Sequence, residues 1–166
     1  TRLLASVVKS IRAFDGSAHM LSVAERTLTE MGVSNWSVQV ADNRRIPVES
    51  GSADLSIAGW SFGHSVAWYP DTWREEIGAM VGEMMRVLKP GGAAVILETM
   101  TTGSETPRPP TEGLAELYRW LETAQGFQGT TIRTDYQFES LDEADQLTRF
   151  FFGDEMADTV KQNRWV

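Results

Sequence analysis

No cysteine occurs in the chain, which excludes disulfides and thiolate metal sites. Histidine is nearly as scarce, and His19 and His64 are too few for a metal cluster built on imidazole. No apolar run is long enough to span a bilayer and no signal-peptide pattern appears, so no membrane partner is expected and a cytoplasmic location is the default. Basic residues are outnumbered. Fifteen Lys and Arg against 23 Asp and Glu give a formal net charge of −8, which argues against nucleic acid or an anionic lipid surface as partner. Internal repeats and low-complexity blocks are missing as well. What is present is ordinary for a soluble globular protein: 166 residues, 42% apolar and 23% charged, enough for a single domain over 1–166 with a sizeable core.

The stretch around which the rest is arranged is Ile11-Arg12-Ala13-Phe14-Asp15-Gly16-Ser17-Ala18-His19-Met20. It reads as a strand ending at Asp15, a turn at Gly16 and a helix capped by Ser17, whose hydroxyl can accept an orphan first-turn amide. A carboxylate at the carboxyl end of a strand sits where open α/β sheets bind ligands. It only accepts hydrogen bonds, and its two oxygens suit the two hydroxyls of a ribose. The alternative is a carboxylate that merely stabilises the positive end of the next helix.

Along the chain, Thr1–Ser6 reads as the end of a helix and Ser10–Asp15 as a strand. A helix follows over Ala18–Met31, with Leu21, Ala24, Leu28 and Met31 on one face and Gly32 as its stop. Trp36, Val38 and Val40 alternate with polar residues, so Asn35–Ala41 is a strand that leads to Asp42. A loop through Pro47 and a Gly51-Ser52 turn precede the strand Ala53–Ala58, which runs into the loop Gly59–His64. Asp71–Leu88 is the clearest helix, striped by Trp73, Ile77, Met80, Val81, Met84 and Leu88. Its methionines read as core filler. Lys89-Pro90-Gly91-Gly92 stops it, and Ala93–Thr99 is a buried strand. Thr101–Thr111, with three prolines, is a loop, either a lid or a plain surface connection. A helix over Glu112–Ala124, an alternating strand over Thr130–Phe138, a capping box of Ser140 with Glu143 before the helix Leu141–Phe152, and a weak amphipathic turn at Met156–Val160 complete the chain. Strands alternating with helices give an α/β fold with a mainly parallel sheet.

Four segments taken together resemble class I S-adenosylmethionine-dependent methyltransferases of the UbiE-like, or methyltransferase type 11, branch. They are Ala13–Leu21; Val40-Ala41-Asp42 with Ile46-Pro47 and Gly51–Leu55; Arg86–Gly92; and Ala93–Glu98. The resemblance implies a Rossmann-like fold, a mainly parallel sheet with helices on both faces. It also implies S-adenosyl-L-methionine as cofactor, and methyl transfer to a small-molecule acceptor. Asp15, followed by Gly16, matches the acidic residue that binds the cofactor ribose. Asp42 matches the one that accepts from the adenine amino group, with Asn43 offering its backbone amide to the ring edge. Met20 matches an apolar residue packed on adenine, and Gly59, Trp60 and Ser61 line the loop beside the methionine portion. For Asp42 the alternative is a turn residue paired with Arg44 or Arg45. His64, beyond that loop, is the base candidate, or else a histidine that only hydrogen-bonds within the loop. Trp60, Phe62, Trp68 and Tyr69 form an acceptor wall or simply pack.

One departure from the family pattern shapes the expectation. The family places a first strand and a G-x-G-x-G loop before the first helix, and the chain shows neither that strand nor the last strand of a seven-stranded sheet. The first strand is central, so without it two strands would carry unpaired edges. Three outcomes are therefore expected to compete: a fragment of a longer enzyme whose cofactor binding is weak or lost; a non-catalytic module completed by a partner chain or a second copy; or a rearranged sheet that pairs the strand before Asp15 directly with Ala53–Ala58. A nicotinamide dehydrogenase fits poorly, because no G-x-G-x-x-G precedes Asp15 and no Tyr-x-x-x-Lys pair exists.

Overall fold

The structure is a computed structural model that describes residues 1–104 and 106–164. These gather into two compact units, Thr1–Glu98 and Thr99–Val166.

The first unit runs α1 (Arg2–Ala5), β1 (Ile11–Asp15), α2 (Ala18–Glu30), β2 (Trp36–Val40), β3 (Ala53–Gly59), α3 (Gly63–Trp68), α4 (Trp73–Arg86) and β4 (Leu88–Leu97). Ser17 caps α2 by accepting from the Met20 amide at 3.3 Å, and Gly32 leaves it with φ +68°, a left-handed turn that glycine enters without penalty. Leu21 and Leu28 bury the inner face of α2, which packs on β1 and β2. The stripe on α4 behaves as its spacing predicts. Trp73, Ile77, Met80, Val81 and Met84 are all buried, and the helix packs on β3 and β4. Each such side chain contributes about 1.5–3 kcal/mol on leaving water.

β1 pairs with β2 in parallel, Asp15 opposite Val40. β3 pairs with β4 in parallel, Gly59 opposite Leu97. Parallel pairing is as expected, but the four strands form two separate two-stranded sheets. Direct pairing of β1 with β3, one of the three outcomes considered, does not occur. Ala93–Thr99 is not buried as a whole: β4 ends at Leu97, and one face of the β3–β4 pair is open. Leu55 and Ile57 are each 42% exposed there, and Val95 and Leu97 each 37%. Parallel strands are normally covered on both faces, so this face is unpartnered among the described residues.

Helix α4 stops at Arg86, two residues earlier than the apolar stripe suggests. Leu88 is buried as the first residue of β4 instead. Lys89-Pro90-Gly91-Gly92 lies inside that strand as a bulge, where the register jumps between Ala53↔Leu88 and Leu55↔Ala93. Gly91 holds φ +81°, and a Cβ on Gly92 would stand 3.0 Å from the Lys89 carbonyl and 3.1 Å from that of Asp54. The glycines therefore serve a close backbone approach.

The second unit holds α5 (Glu112–Thr123), α6 (Leu141–Phe152) and α7 (Asp154–Asn163). Thr111 caps α5 by accepting from the Leu114 amide at 3.2 Å. The Ser140–Glu143 box forms with a shift: Ser140 Oγ accepts from the Glu143 amide at 3.2 Å, while Glu143 Oε2 accepts from Glu139 rather than from Ser140. The alternating segment Thr130–Phe138 is not a strand. A strand needs a ladder partner for its amides, and among the described residues none reaches it. The turn at Met156–Val160 is the middle of a ten-residue helix, tied to α6 by Arg149, which bonds Asp145, Asp154 and Asp158. That fan of carboxylates raises the Arg149 guanidinium above its ordinary range, Asp154 acting most strongly.

Candidate functional site

A cavity of about 800 Å³ opens where the carboxyl ends of β1, β2 and β3 converge, walled by α3 and floored in part by Met80 of α4. Open α/β sheets bind ligands at this position. Asp15, Gly16, Asp42, Asn43, Gly59, Trp60, Ser61 and His64 all line it, so eight of the nine residues expected to act together are brought to one place. Met20 stands outside the lining, 55% exposed on the first turn of α2. Phe62 is 1% exposed and belongs to the core, so the aromatic wall consists of Trp60, Trp68 and Tyr69.

Asp15 ends β1 half-buried. Its Oδ1 accepts from the Ser17 amide at 2.7 Å, so part of the helix-stabilising role is real. Among the described residues nothing else donates to this carboxylate, and Oδ2 keeps its acceptor capacity. A Cβ placed on Gly16 would meet nothing within 4 Å, which leaves open space beside Asp15.

Asp42 is engaged differently. Oδ1 accepts from the Arg44 amide at 2.8 Å and from Arg44 Nε at 2.9 Å, and Oδ2 accepts from Nη2 at 2.5 Å. The pairing with Arg44 considered as the alternative for this residue is therefore present. The hydrogen bonds from the Arg44 guanidinium and amide hold the Asp42 carboxyl well down, at about 2. Arg44 also donates Nη1 to Glu76 Oε2 at 2.7 Å. Its two carboxylate partners, Asp42 foremost, hold it above its ordinary range.

The loop that carries Asp42 is fastened to α4 behind it. Arg86 donates to the carbonyls of Val48 at 2.7 Å and Ile46 at 2.9 Å, and Glu83 accepts from the Ile46 amide at 2.7 Å. Glu83 and Arg86 also bond one another, and the guanidinium lowers the Glu83 pKa.

At the other end, Trp60 adopts φ +49°. A left-handed non-glycine residue costs about 1–2 kcal/mol, and the Trp60 amide is held by the Leu97 carbonyl at 2.8 Å. Ser61 Oγ is buried and, among the described residues, has no protein partner. His64, in the first turn of α3, stacks on Trp68 with ring centroids 5.4 Å apart. Glu98 caps the start of α3: its Oε1 accepts from the amides of Phe62 and Gly63 at 2.9 and 3.1 Å.

Three contributors are hidden from sequence reasoning. Helix α3 is only six residues long, and its residues read as loop. Glu98 looks like the end of a strand, and its cap becomes visible only once β4 is set beside β3. Arg44 stands out in sequence only as a partner for Asp42, not as part of the cavity lining. Its bond to Glu76 spans 32 residues, a separation that no local pattern reports.

An α/β domain with a ligand cavity at the carboxyl ends of parallel strands is the class that this geometry defines. Residues 1–96 match the family described as "Methyltransferase domain", and the chain belongs to that family. It is 26% identical over 129 residues to the uncharacterized protein YafE of Escherichia coli, which covers 78% of this chain and 53% of that one. The chain thus spans about half the length of the curated relative it matches. A crystal structure of an S-adenosylmethionine-dependent methyltransferase from Aquifex aeolicus shares the fold, with TM-score 0.55, 20% identity, and 73% of this chain and 62% of that one covered. A Pyrococcus horikoshii protein aligns with TM-score 0.51 and 21% identity over 80% of this chain and 51% of its own. These structures establish a Rossmann-like methyltransferase fold. No helix among the described residues is long and apolar enough to cross a membrane, and no cluster of potential metal ligands occurs among them.

Proposed function

We propose that the cavity binds S-adenosylmethionine and that the domain serves methyl transfer to a small-molecule acceptor. The observation that carries this reading is the convergence of Asp15, Asp42 and the Gly59–Ser61 loop on one cavity. The donor set suits the cofactor. Asp15 has an uncommitted oxygen for the ribose hydroxyls, and Asp42 and the Asn43 amide suit the adenine edge. Ser61, one of the lining residues, has a buried hydroxyl that lacks, among the described residues, the partner that buried polar atoms normally have. When bound, the cofactor supplies an activated methyl group on a sulfonium. The chain's own residues then position the acceptor, which accounts for much of the catalysis in such a reaction. Trp60, Trp68 and Tyr69 offer it an apolar wall. The His64 ring is held by its stack on Trp68 and can take a proton from a hydroxyl or amine acceptor at a ring nitrogen. Calorimetric titration with S-adenosylmethionine tests the reading. Saturable binding that Asp15→Ala weakens roughly ten-fold or more supports it, and binding that Asp15→Ala leaves unchanged contradicts it.

The separate sheets favour a second reading, in which the fold is completed by a strand from a partner chain or a second copy. Free β1 and β3 edges and the open Leu55–Ile57–Val95–Leu97 face motivate it. On this reading the chain alone binds cofactor weakly. Light scattering that shows a stable dimer, with tighter cofactor binding as dimer forms, favours it. A monomer with full affinity eliminates it.

A further inference from the structure

Arg44 engages both oxygens of Asp42. A carboxylate offers about four lone-pair directions. Here Oδ1 takes the Arg44 amide at 2.8 Å and Nε at 2.9 Å, and Oδ2 takes Nη2 at 2.5 Å and Nε at 3.1 Å. The single Nε hydrogen is shared between the two oxygens, so three N–H groups of Arg44 engage both, and a nucleoside amino group entering the cavity must compete with them for the carboxylate. The same guanidinium already touches a second carboxylate, Glu76 on α4, through Nη1 at 2.7 Å. Glu76 sits in the first turn of that helix, where the unpaired amides favour negative charge. Arg44 therefore has somewhere to go. The Asp42 and Arg44 side chains are 48% and 39% exposed, so water screens their attraction, whereas Glu76 is 23% exposed.

We infer that Arg44 is a displaceable latch on Asp42: it pairs with the carboxylate and moves over to Glu76 when a nucleoside takes its place. The inference rests on the reading above, that Asp42 receives the adenine amino group. Arg44 is a positioning residue here, with no part in the chemistry. Its effect is to set the affinity of the site and to make that affinity sensitive to ionic strength. Exposed ion pairs are weak, so the closed latch lowers apparent affinity by roughly five-fold or less.

Adenosine is the probe, because it is uncharged and salt does not screen its own contacts with the protein. Its binding to the full chain is followed by NMR shift perturbation at low and high salt. Arg44→Met is expected to bind roughly five-fold tighter than the native chain at low salt. Added salt should tighten the native chain and leave Arg44→Met unchanged. Arg44→Lys, a single point charge without the planar fork, should fall between them. Glu76→Gln should weaken binding in the native background and do nothing when combined with Arg44→Met. Asp42→Ala, which removes the acceptor altogether where asparagine would keep one, separates the two claims. If it loses binding while Arg44→Met is no tighter than native, the latch is overturned and the nucleoside reading stands. If Asp42→Ala binds as well as native, or if no variant binds adenosine saturably, the nucleoside reading fails and the latch with it.

Discussion

The tips of β1 and β2 are neighbours in one parallel pair, and each leads into an aspartate on the same cavity, yet the two carboxylates are in opposite conditions. Asp15 gives one oxygen to the Ser17 amide and keeps the other. Asp42 is engaged at both oxygens by Arg44 and held at a pKa of about 2. The difference comes from the residues just downstream of each. Gly16-Ser17 has no charge and feeds straight into a helix. Asn43-Arg44 turns back on itself, through an isolated bridge of Asp42 with Arg45, and presents a cation to the carboxylate. Placing an acidic residue at a strand tip is therefore not enough to make it a free ligand acceptor. The next two residues decide whether it is open or occupied.

The largest expected effect sharpens that contrast. Asp15→Ala should lower S-adenosylmethionine affinity by roughly ten- to a hundred-fold, since hydrogen bonds to a charged group contribute about 1.5–3 kcal/mol each. Asp42→Ala should cost less, because the native carboxylate must first give up Arg44. Equal losses measured by calorimetry would erase the distinction between the tips.

A smaller effect separates their supports. Arg86→Met should release the loop behind Asp42 and lower the melting temperature. It should speed amide exchange at Ile46, whose bond to Glu83 depends on the pair, while the Ser17 amide bonded to Asp15 stays protected. Loss of protection at both tips would show that they are not independently held.

Acid titration tests the Asp42 pairing next. A carboxyl whose folded pKa is depressed contributes stability above the unfolded value of about 3.9 and loses it as pH falls toward the folded one. For Asp42 that window runs from about 4 down to about 2. Carbon-13 NMR should place its midpoint near the lower limit, and Arg44→Met should move it up toward the ordinary range. An unmoved midpoint would mean that Arg44 is not the cause. Ser17→Ala should have the least effect. Its bond to Met20 is 3.3 Å and exposed, so the cost should lie near the low end of about 0.5–2 kcal/mol, with Asp15 undisturbed.

Local patterns carry much of the first unit. The spacing of Ile77, Met80, Val81 and Met84 is enough for α4, and Ser17 and Gly32 mark the ends of α2, because caps and stripes are set by neighbours in sequence. Asp15, Asp42 and the Gly59–Ser61 loop are legible from family resemblance, and the structure brings them to one cavity. The features that escape depend on distant partners. Thr130–Phe138 has the alternation of a strand but, among the described residues, no ladder to join. The Lys89–Gly92 punctuation marks a bulge inside β4 and not the end of α4, which only the pairing with β3 reveals. The open face of Leu55, Ile57, Val95 and Leu97 is invisible in residues that read as a buried run.

The central claim is that Asp15 and Asp42 grip one nucleoside together. Selective carbon-13 labelling of aspartate carboxyls, followed during an adenosine titration, tests it most directly. The account predicts that both resonances move along a single saturation curve, with Asp42 shifting as Arg44 leaves it. Movement of one carboxyl without the other would contradict it.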